Sequence, residues 1–357
     1  MGLAVSSLDS SMNSVYNSGA IGCWMARSRW PTECCCGSFL YPSPREQSGL
    51  GGWSLLTTDN DSQRKEKNGP YGDLFIYHLK GQVREQEELA LGEHFQGNWV
   101  EDDASFLFFS VPSRQSVLTL IEKRSDMELI EDYHFTYEEW QGRALRPMRI
   151  GHFLIHPPWE EVDTEDKETE IIMDPGMVFG TGLHPTTQDC LRAMVHLREK
   201  STLGSVLDLG TGTGILALAA ALLGADNVLA VDLNPLSVKT ARRNVRLNGL
   251  EDAIKVVEGL AEDFVKETAD LVLANLHHDV LMKLLDTAGF LEKSWYVISG
   301  LLRSQVREIR GQLSELGLHV NQEWEQDGTW YTLLVGNQRV AQSNEHSKRK
   351  APVLDTD

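Results

Sequence analysis

Apolar residues change their rhythm along the chain near residue 159, and the two rhythms predict different architectures. Before it, the runs "LFIYHL" (74–79), "SFLFFS" (105–110), "MELIEDYHF" (127–135) and "MRIGHFLIHP" (148–157) read as strands, while "RQSVLTLIEKR" (114–124) repeats at helical spacing. That mixture predicts a small α+β unit. An acidic stretch, "EEVDTEDKETE" (160–170), follows as a solvated connection. After it the elements alternate. A helix is predicted from Pro185, then a buried strand "SVLDLG", an Ala-rich helix "ILALAAALLGA" and a strand "VLAVDL". The helix "PLSVKTARRNVRLNG" opens on Pro235 and closes at Gly249. Three more strands, "IKVVEG", "ADLVLANL" and "WYVISG", are joined by helical stretches near 279–288 and 304–316, and "LHVNQEWEQ" with "TWYTLLVG" forms an antiparallel pair. Alternation of this kind with apolar strands predicts an α/β fold, a mostly parallel sheet covered on both faces.

The flanks follow neither rhythm. Residues 1–70 are rich in Ser, Gly, Asn and Pro and are expected to be disordered, or a non-native extension ahead of the true start. Within them "MGLAVS" fits the N-myristoylation pattern through Gly2 and Ser6, and the triplet Cys34, Cys35 and Cys36 offers sites for palmitoylation. The expected organisation is an extension (1–70), a small α+β domain (71–158), an acidic linker (159–172), an α/β domain (173–336) and a disordered polar tail (337–357).

Composition narrows the function classes. A formal net charge of −19 over 357 residues argues against a broad nucleic-acid surface and suits a basic substrate. The longest apolar run, around 214–225, falls short of the ~20 residues of a membrane span. The five cysteines match no zinc spacing, and Cys190 inside the predicted core points to a reducing cytoplasm. A cytoplasmic, monomeric protein without membrane or nucleic-acid partners is expected.

The candidate chemistry gathers at strand ends. Gly210, Gly212 and Gly214 of "VLDLGTGTG" stand between a strand and a helix, where glycine lets the backbone turn sharply and approach a ligand beside free helix N–H groups. The dinucleotide fingerprint needs a small residue at position 215 to pack around a pyrophosphate, and this chain has Ile215. Bulk there favours a nucleoside without pyrophosphate, such as S-adenosylmethionine (SAM), over NAD. Asp232 ends the next strand and can accept from a ribose diol, which both nucleosides possess; Asn234 suits the following helix cap better. Asn275 ends a later strand, where an amide meets a cofactor or a substrate amine. His277 and His278 are expected to be loop histidines rather than metal ligands, since adjacent side chains diverge. His184 reads either as a site residue or as a plain helix N-terminal residue.

Taken together, "RPMRIG", "PPWE", "DPGMVFGTGLHPTT", "VLDLGTGTGILA", "AVDLNPLSV", "RNVRLNG", "LVLANL" and "ISGLLRSQ" resemble the PrmA family, which methylates a large-subunit ribosomal protein, the eleventh in conventional naming. The resemblance runs from about residue 133 to 335. It implies a seven-stranded class I SAM-dependent methyltransferase domain behind a small ferredoxin-like domain that recruits the protein substrate. It also implies SAM contacts at Thr187, Gly210, Gly212, Asp232 and Asn275, with Thr181 and Phe179 near the cofactor and a flexible flap over its methionine end. Asn275 would orient the acceptor amine, with no obligatory general base. This chain departs from the family in "NLHH", and residues 71–132 align only loosely. The alternatives on the same fold are a lysine methyltransferase of another protein or a small-molecule N-methyltransferase; a more distant one is an NAD-dependent oxidoreductase.

Overall fold

The computed structural model describes residues 71–142 and 145–337; the acylation pattern, the cysteine triplet and the tail beyond Asn337 lie outside the described residues. Strand β1 (Asp73–Lys80), helix α1 (Glu85–Glu88), strands β2 (Phe95–Glu101) and β3 (Ala104–Phe109), helix α2 (Arg114–Ile121) and strand β4 (Glu128–Thr136) build the first sheet. Its order is β2-β3-β1-β4, with every neighbouring pair antiparallel, the βαββαβ arrangement of a ferredoxin-like unit. One face carries Tyr77, Leu79, Leu107 and Phe109 against Val117 and Leu120 of α2. The other carries Leu74, Ile76, Phe106 and Phe108, and it packs on Met177, Val178 and Leu236 from the later part of the chain.

The sequence pattern does not mark β2, because Gly97 and Asn98 interrupt "FQGNWVE". A register shift between Phe95 and Gly97 accommodates them. The missing side chain has a use: a β-carbon at Gly97 would stand 2.6 Å from Leu236 Cδ1, so glycine lets that leucine dock against the strand.

Helix α3 (Tyr137–Gln141) starts at a capping box in which Thr136 and Glu139 satisfy each other's backbone N–H groups. The stretch 148–157, expected as one strand, is a hairpin of β5 (Met148–Ile150) and β6 (Phe153–His156), turned by Gly151 at φ +60°. Strand β7 (Thr169–Ile172) emerges from the acidic run expected as a connection and pairs parallel to β6. Its core contact is the buried Ile171, and Asn248 clips both the N–H and the carbonyl of Ile172.

The remainder is one layered α/β unit. Helix α4 (Pro185–Arg198) leads to β8 (Ser205–Leu209), α5 (Ile215–Leu222), β9 (Asn227–Asp232), α6 (Pro235–Leu247), β10 (Ile254–Glu258), α7 (Ala261–Phe264) and β11 (Leu271–Asn275). Helix α8 (His278–Leu285), β12 (Trp295–Leu302), α9 (Arg303–Glu315), β13 (His319–Gln326) and β14 (Trp330–Gly336) complete it. The sheet order is β10-β9-β8-β11-β12-β14-β13; the first five strands are parallel, and β14 runs antiparallel to both neighbours. This is the class I methyltransferase fold. Helix α5 has buried residues on all sides, Ile215 through Ala220, because it lies between the large sheet and β7. No helix among the described residues is long and apolar enough to cross a membrane.

Candidate functional site

Parallel strands deliver β8, β9 and β11 to one edge, and the candidate residues gather there. Gly210, Gly212 and Gly214 take φ values of +71°, +56° and +88°, a backbone region that side-chain-bearing residues rarely adopt. Each is also crowded on the side a β-carbon would occupy: Leu276 covers Gly210, the Phe179 carbonyl covers Gly212, and Ala241 covers Gly214. The loop is therefore lined by backbone, with Ile215 turned into the core at 2% exposure and touching the position above Gly182.

Asp232 is fixed by two backbone donors. Gly212 N–H reaches Oδ2 and Asn234 N–H reaches Oδ1, both at 2.9 Å. Each oxygen keeps a lone pair for a further donor, as a diol requires. Asn234 carries the cap of α6 by accepting from Leu236 N–H at 3.0 Å, which leaves Asp232 free of that duty. Two apolar side chains stand exposed beside it: Leu233 directly after Asp232, and Leu260 just past the end of β10, where Glu258 pairs with Asp232. Exposed leucines at a polar strand edge suit the faces of a planar heterocycle.

Two acids in this region are held unusually high. Burial pushes the Asp208 carboxyl up to about 7, with the charge of Asp232 adding to it and the Thr211 hydroxyl, 2.6 Å away, opposing it. Asp232 is also raised by burial, against the opposing bonds from Asn234 and Gly212.

The segment 174–187, expected as a flexible flap, is tied down along its first half. Asp174 is fully buried and accepts from Tyr71 Oη at 2.7 Å and from Gly176 N–H at 3.0 Å, and it pairs with Arg243 at 2.5 Å. Asn244 accepts from Asp174 N–H and donates to the Thr213 carbonyl, so α6 links this segment to the glycine loop. Tyr137 donates to Gly176 O at 2.7 Å, Trp140 to Met177 O at 3.3 Å, and Thr213 to Gly180 O at 2.6 Å. A backbone rich in glycine has carbonyls to spare, and side chains from α3 and from the glycine loop bond them. Phe179 sits half-buried between Trp99 and Trp140, and Thr181 is buried and accepts from Leu183 N–H.

At the opposite wall, Asn275 ends β11 and donates through Nδ2 to Thr186 Oγ1 at 3.3 Å. His184 caps α4: its Nδ1 meets the same hydroxyl at 2.7 Å, and its ring stands edge-on to Trp330 at 4.7 Å. Gly300 at φ +84° keeps this corner open, because a β-carbon there would lie 3.2 Å from Asn275 Oδ1 and 2.6 Å from the Leu276 carbonyl.

Of the residues singled out from sequence, Gly210, Gly212, Asp232 and Phe179 come together at the glycine loop, Asn275 at the end of β11 faces the first turn of α4 that holds the buried Thr187, and Thr181 lies apart beside Met148 and Ile155. Thr186, rather than Thr187, is the threonine bonded to Asn275, a distinction of helix phase that "HPTT" does not display. Asn244, Leu233 and Leu260 also escaped the sequence reading; only Asn244 left a trace, inside "RNVRLNG". The two histidines separate: His277 is an exposed cap, whereas His278 is tucked between Asp279 and Glu308 of α9 at 3.3 and 3.2 Å. No group of three or more His, Cys, Asp or Glu able to hold a metal occurs among the described residues. A groove of about 250 Å³ lined by Arg192, Glu199 and Trp324 lies along the far half of α4, away from these strand ends.

Comparison with known proteins gives a consistent result. The family model of ribosomal protein L11 methyltransferase (PrmA) matches residues 100–338. The ribosomal protein L11 methyltransferase of Desulforamulus reducens is 35% identical over 235 residues, covering 62% of this chain and 75% of its own length. That of Clostridium botulinum is 37% identical over 299 residues, covering 80% and 91%. Among solved structures, the ribosomal protein L11 methylase of Lactobacillus delbrueckii subsp. bulgaricus aligns with a TM-score of 0.48 at 29% identity, over 54% of this chain and 98% of that one.

Proposed function

The chain belongs to the ribosomal protein L11 methyltransferase (PrmA) family, and on that premise we propose that it methylates amine nitrogens of ribosomal protein L11 with SAM as the methyl donor. The observation that carries the cofactor assignment is Asp232: a carboxylate held by two backbone N–H groups, with a free lone pair on each oxygen and exposed Leu233 and Leu260 alongside. That set fits a ribose diol and an adenine ring. Ile215, buried in the core, stands where the dinucleotide fingerprint needs a small residue, which counts against the NAD reading.

Asp232, the glycine loop, Leu233 and Leu260 would hold the nucleoside, and Phe179 and Thr187 would close over the other end. When bound, SAM supplies an electrophilic methyl group on a sulfonium. The chain's task is to present a neutral amine. Lysine has a reference pKa of ~10.4 and an α-amine ~8, so the acceptor must shed a proton on entering the site. Apolar walls help by disfavouring the ammonium form. Asn275 orients the amine: with Nδ2 committed to Thr186, its Oδ1 is left to accept an amine N–H, and Gly300 leaves that oxygen uncovered. No described side chain is required as a base, and a water can carry off the proton. The rate then comes mainly from alignment. The four-stranded sheet is the part we assign to recruiting the protein.

Methyl-tritiated SAM, incubated with the enzyme and either purified L11 or a total lysate, tests this reading. Label concentrated in L11 supports it. Label in other proteins with none in L11 refutes the substrate.

A further inference from the structure

We propose that His184 is a positioning residue for methyl transfer: its unprotonated Nδ1 takes the Thr186 hydroxyl hydrogen and so fixes the Asn275 amide with Oδ1 toward the acceptor amine. The inference rests on the reading of Asn275 as the residue that orients the amine. It gives a chemical role to a histidine that the chain pattern reads equally well as a plain helix start.

The direction of each hydrogen bond follows from counting hydrogens. Two groups of Thr186 converge on His184 Nδ1, the hydroxyl at 2.7 Å and the backbone N–H at 3.4 Å. A backbone N–H can only donate, so Nδ1 is an acceptor and the ring carries its hydrogen on Nε2. Burial holds the pKa of the ring below the ordinary histidine value, which keeps it neutral. The hydroxyl has a single hydrogen, and Nδ1 receives it. Thr186 Oγ1 then offers lone pairs alone, so its next neighbour must donate. Asn275 accordingly presents Nδ2, at 3.3 Å. The amide turned the other way would set its oxygen against a hydroxyl oxygen with no hydrogen to share.

The surroundings hold this chain of bonds in place. Thr186 is buried, so solvent does not compete for its hydroxyl. Gln188 Nε2 donates to the carbonyls of Gly182 and Leu183, at 3.1 and 3.4 Å, which fixes the backbone entering His184. Trp330 stands edge-on to the ring, with centroids 4.7 Å apart and planes at 77°. One imidazole therefore does two things: it caps α4, and it sets which end of the Asn275 amide is left for the amine. A small capping residue would do only the first.

The test is a double-mutant cycle on kcat for L11 methylation by the full chain, using His184→Ser, Thr186→Val and the double variant. Serine keeps a cap for α4 and removes the ring nitrogen. Loss of one hydrogen bond predicts about a three- to tenfold lower kcat for His184→Ser, with S-adenosylhomocysteine affinity near that of the parent. The double variant should be no slower than Thr186→Val, because the ring acts only through the hydroxyl. A double variant that loses the product of the two single effects overturns the proposal, and so does an unchanged kcat in His184→Ser. A second readout is independent of activity. Heteronuclear NMR of the imidazole nitrogens, with the His184 signals assigned by their loss in His184→Ser, should show hydrogen on Nε2 and none on Nδ1 at neutral pH. Hydrogen on Nδ1 overturns the proposal while leaving the methyltransferase reading intact. A parent chain that methylates no protein in the presence of SAM removes both.

Discussion

Asn275 and Thr186 join the end of a parallel strand to the first turn of α4 through a 3.3 Å hydrogen bond, and the same hydroxyl is held by His184. The amide is oriented by this bond, so its two variants should differ in kind. Asn275→Ala removes the amine contact and is expected to lower kcat by about a hundredfold or more. Thr186→Val leaves the amide in place but unheld, and about a tenfold loss is expected. Stopped-time methylation assays with calorimetry alongside check this: Thr186→Val should bind S-adenosylhomocysteine nearly as the parent does, and Asn275→Ala should lose far more in kcat than in affinity.

Gly212 meets the Phe179 carbonyl more closely than any side chain allows. Gly212→Ala places a β-carbon 2.8 Å from that oxygen, at φ +56°. The left-handed conformation costs about 1–2 kcal/mol for alanine, and the contact forces the roof away from the loop. Cofactor affinity should fall by at least about tenfold, roughly 1.4 kcal/mol in binding free energy, which calorimetry reads directly.

Arg243 neutralises Asp174, a carboxylate with no solvent exposure. Removing the guanidinium strands that charge, which costs about 3–5 kcal/mol in a fully buried pair. Arg243 is half-exposed, so Arg243→Ala should lose about 2–3 kcal/mol in urea denaturation, after discounting for solvent screening. Proteolysis near 174–178 should accelerate, since Asp174 also holds Tyr71 and Gly176.

Asp208 gives the protein a pH signature. Its carboxyl is raised to about 7 in the folded state, from a reference near 3.8. The folded protein therefore binds the extra proton between those values, and stability contributed by this group is full below the lower one and lost as pH rises through the higher. Asp208→Asn keeps an acceptor for Thr211 and does not titrate. The stability of the parent relative to Asp208→Asn should fall as pH rises from about 4 to about 7, measured by denaturation at stepped pH.

Much of this was legible in the chain. The strands of the large sheet announce themselves because both faces are buried, so "VLAVDL" and "ADLVLANL" are largely apolar, and their ends carry Asp232 and Asn275. Caps were legible for the same local reason: Asn234 before Pro235 needs only its neighbours. What the pattern hides is set by distant partners. Strand β2 is carried by Gly97, a weak strand former whose reason is Leu236. The tie among Tyr71, Asp174 and Arg243 spans most of the described chain, and glycines that read as freedom in "DPGMVFGTG" instead expose carbonyls to Tyr137, Trp140 and Thr213. Burial of Ile171, with β6 and Asn248 as partners, sets a strand at the end of an acidic run.

The central claim is that the edge formed by Asp232 and the glycine loop seats a sulfonium nucleoside and no dinucleotide. Titration calorimetry of the full chain with SAM and, separately, with NADH measures it most directly. The account predicts saturable one-to-one binding of SAM and no heat of binding from NADH. Saturable binding of NADH with none of SAM would contradict it.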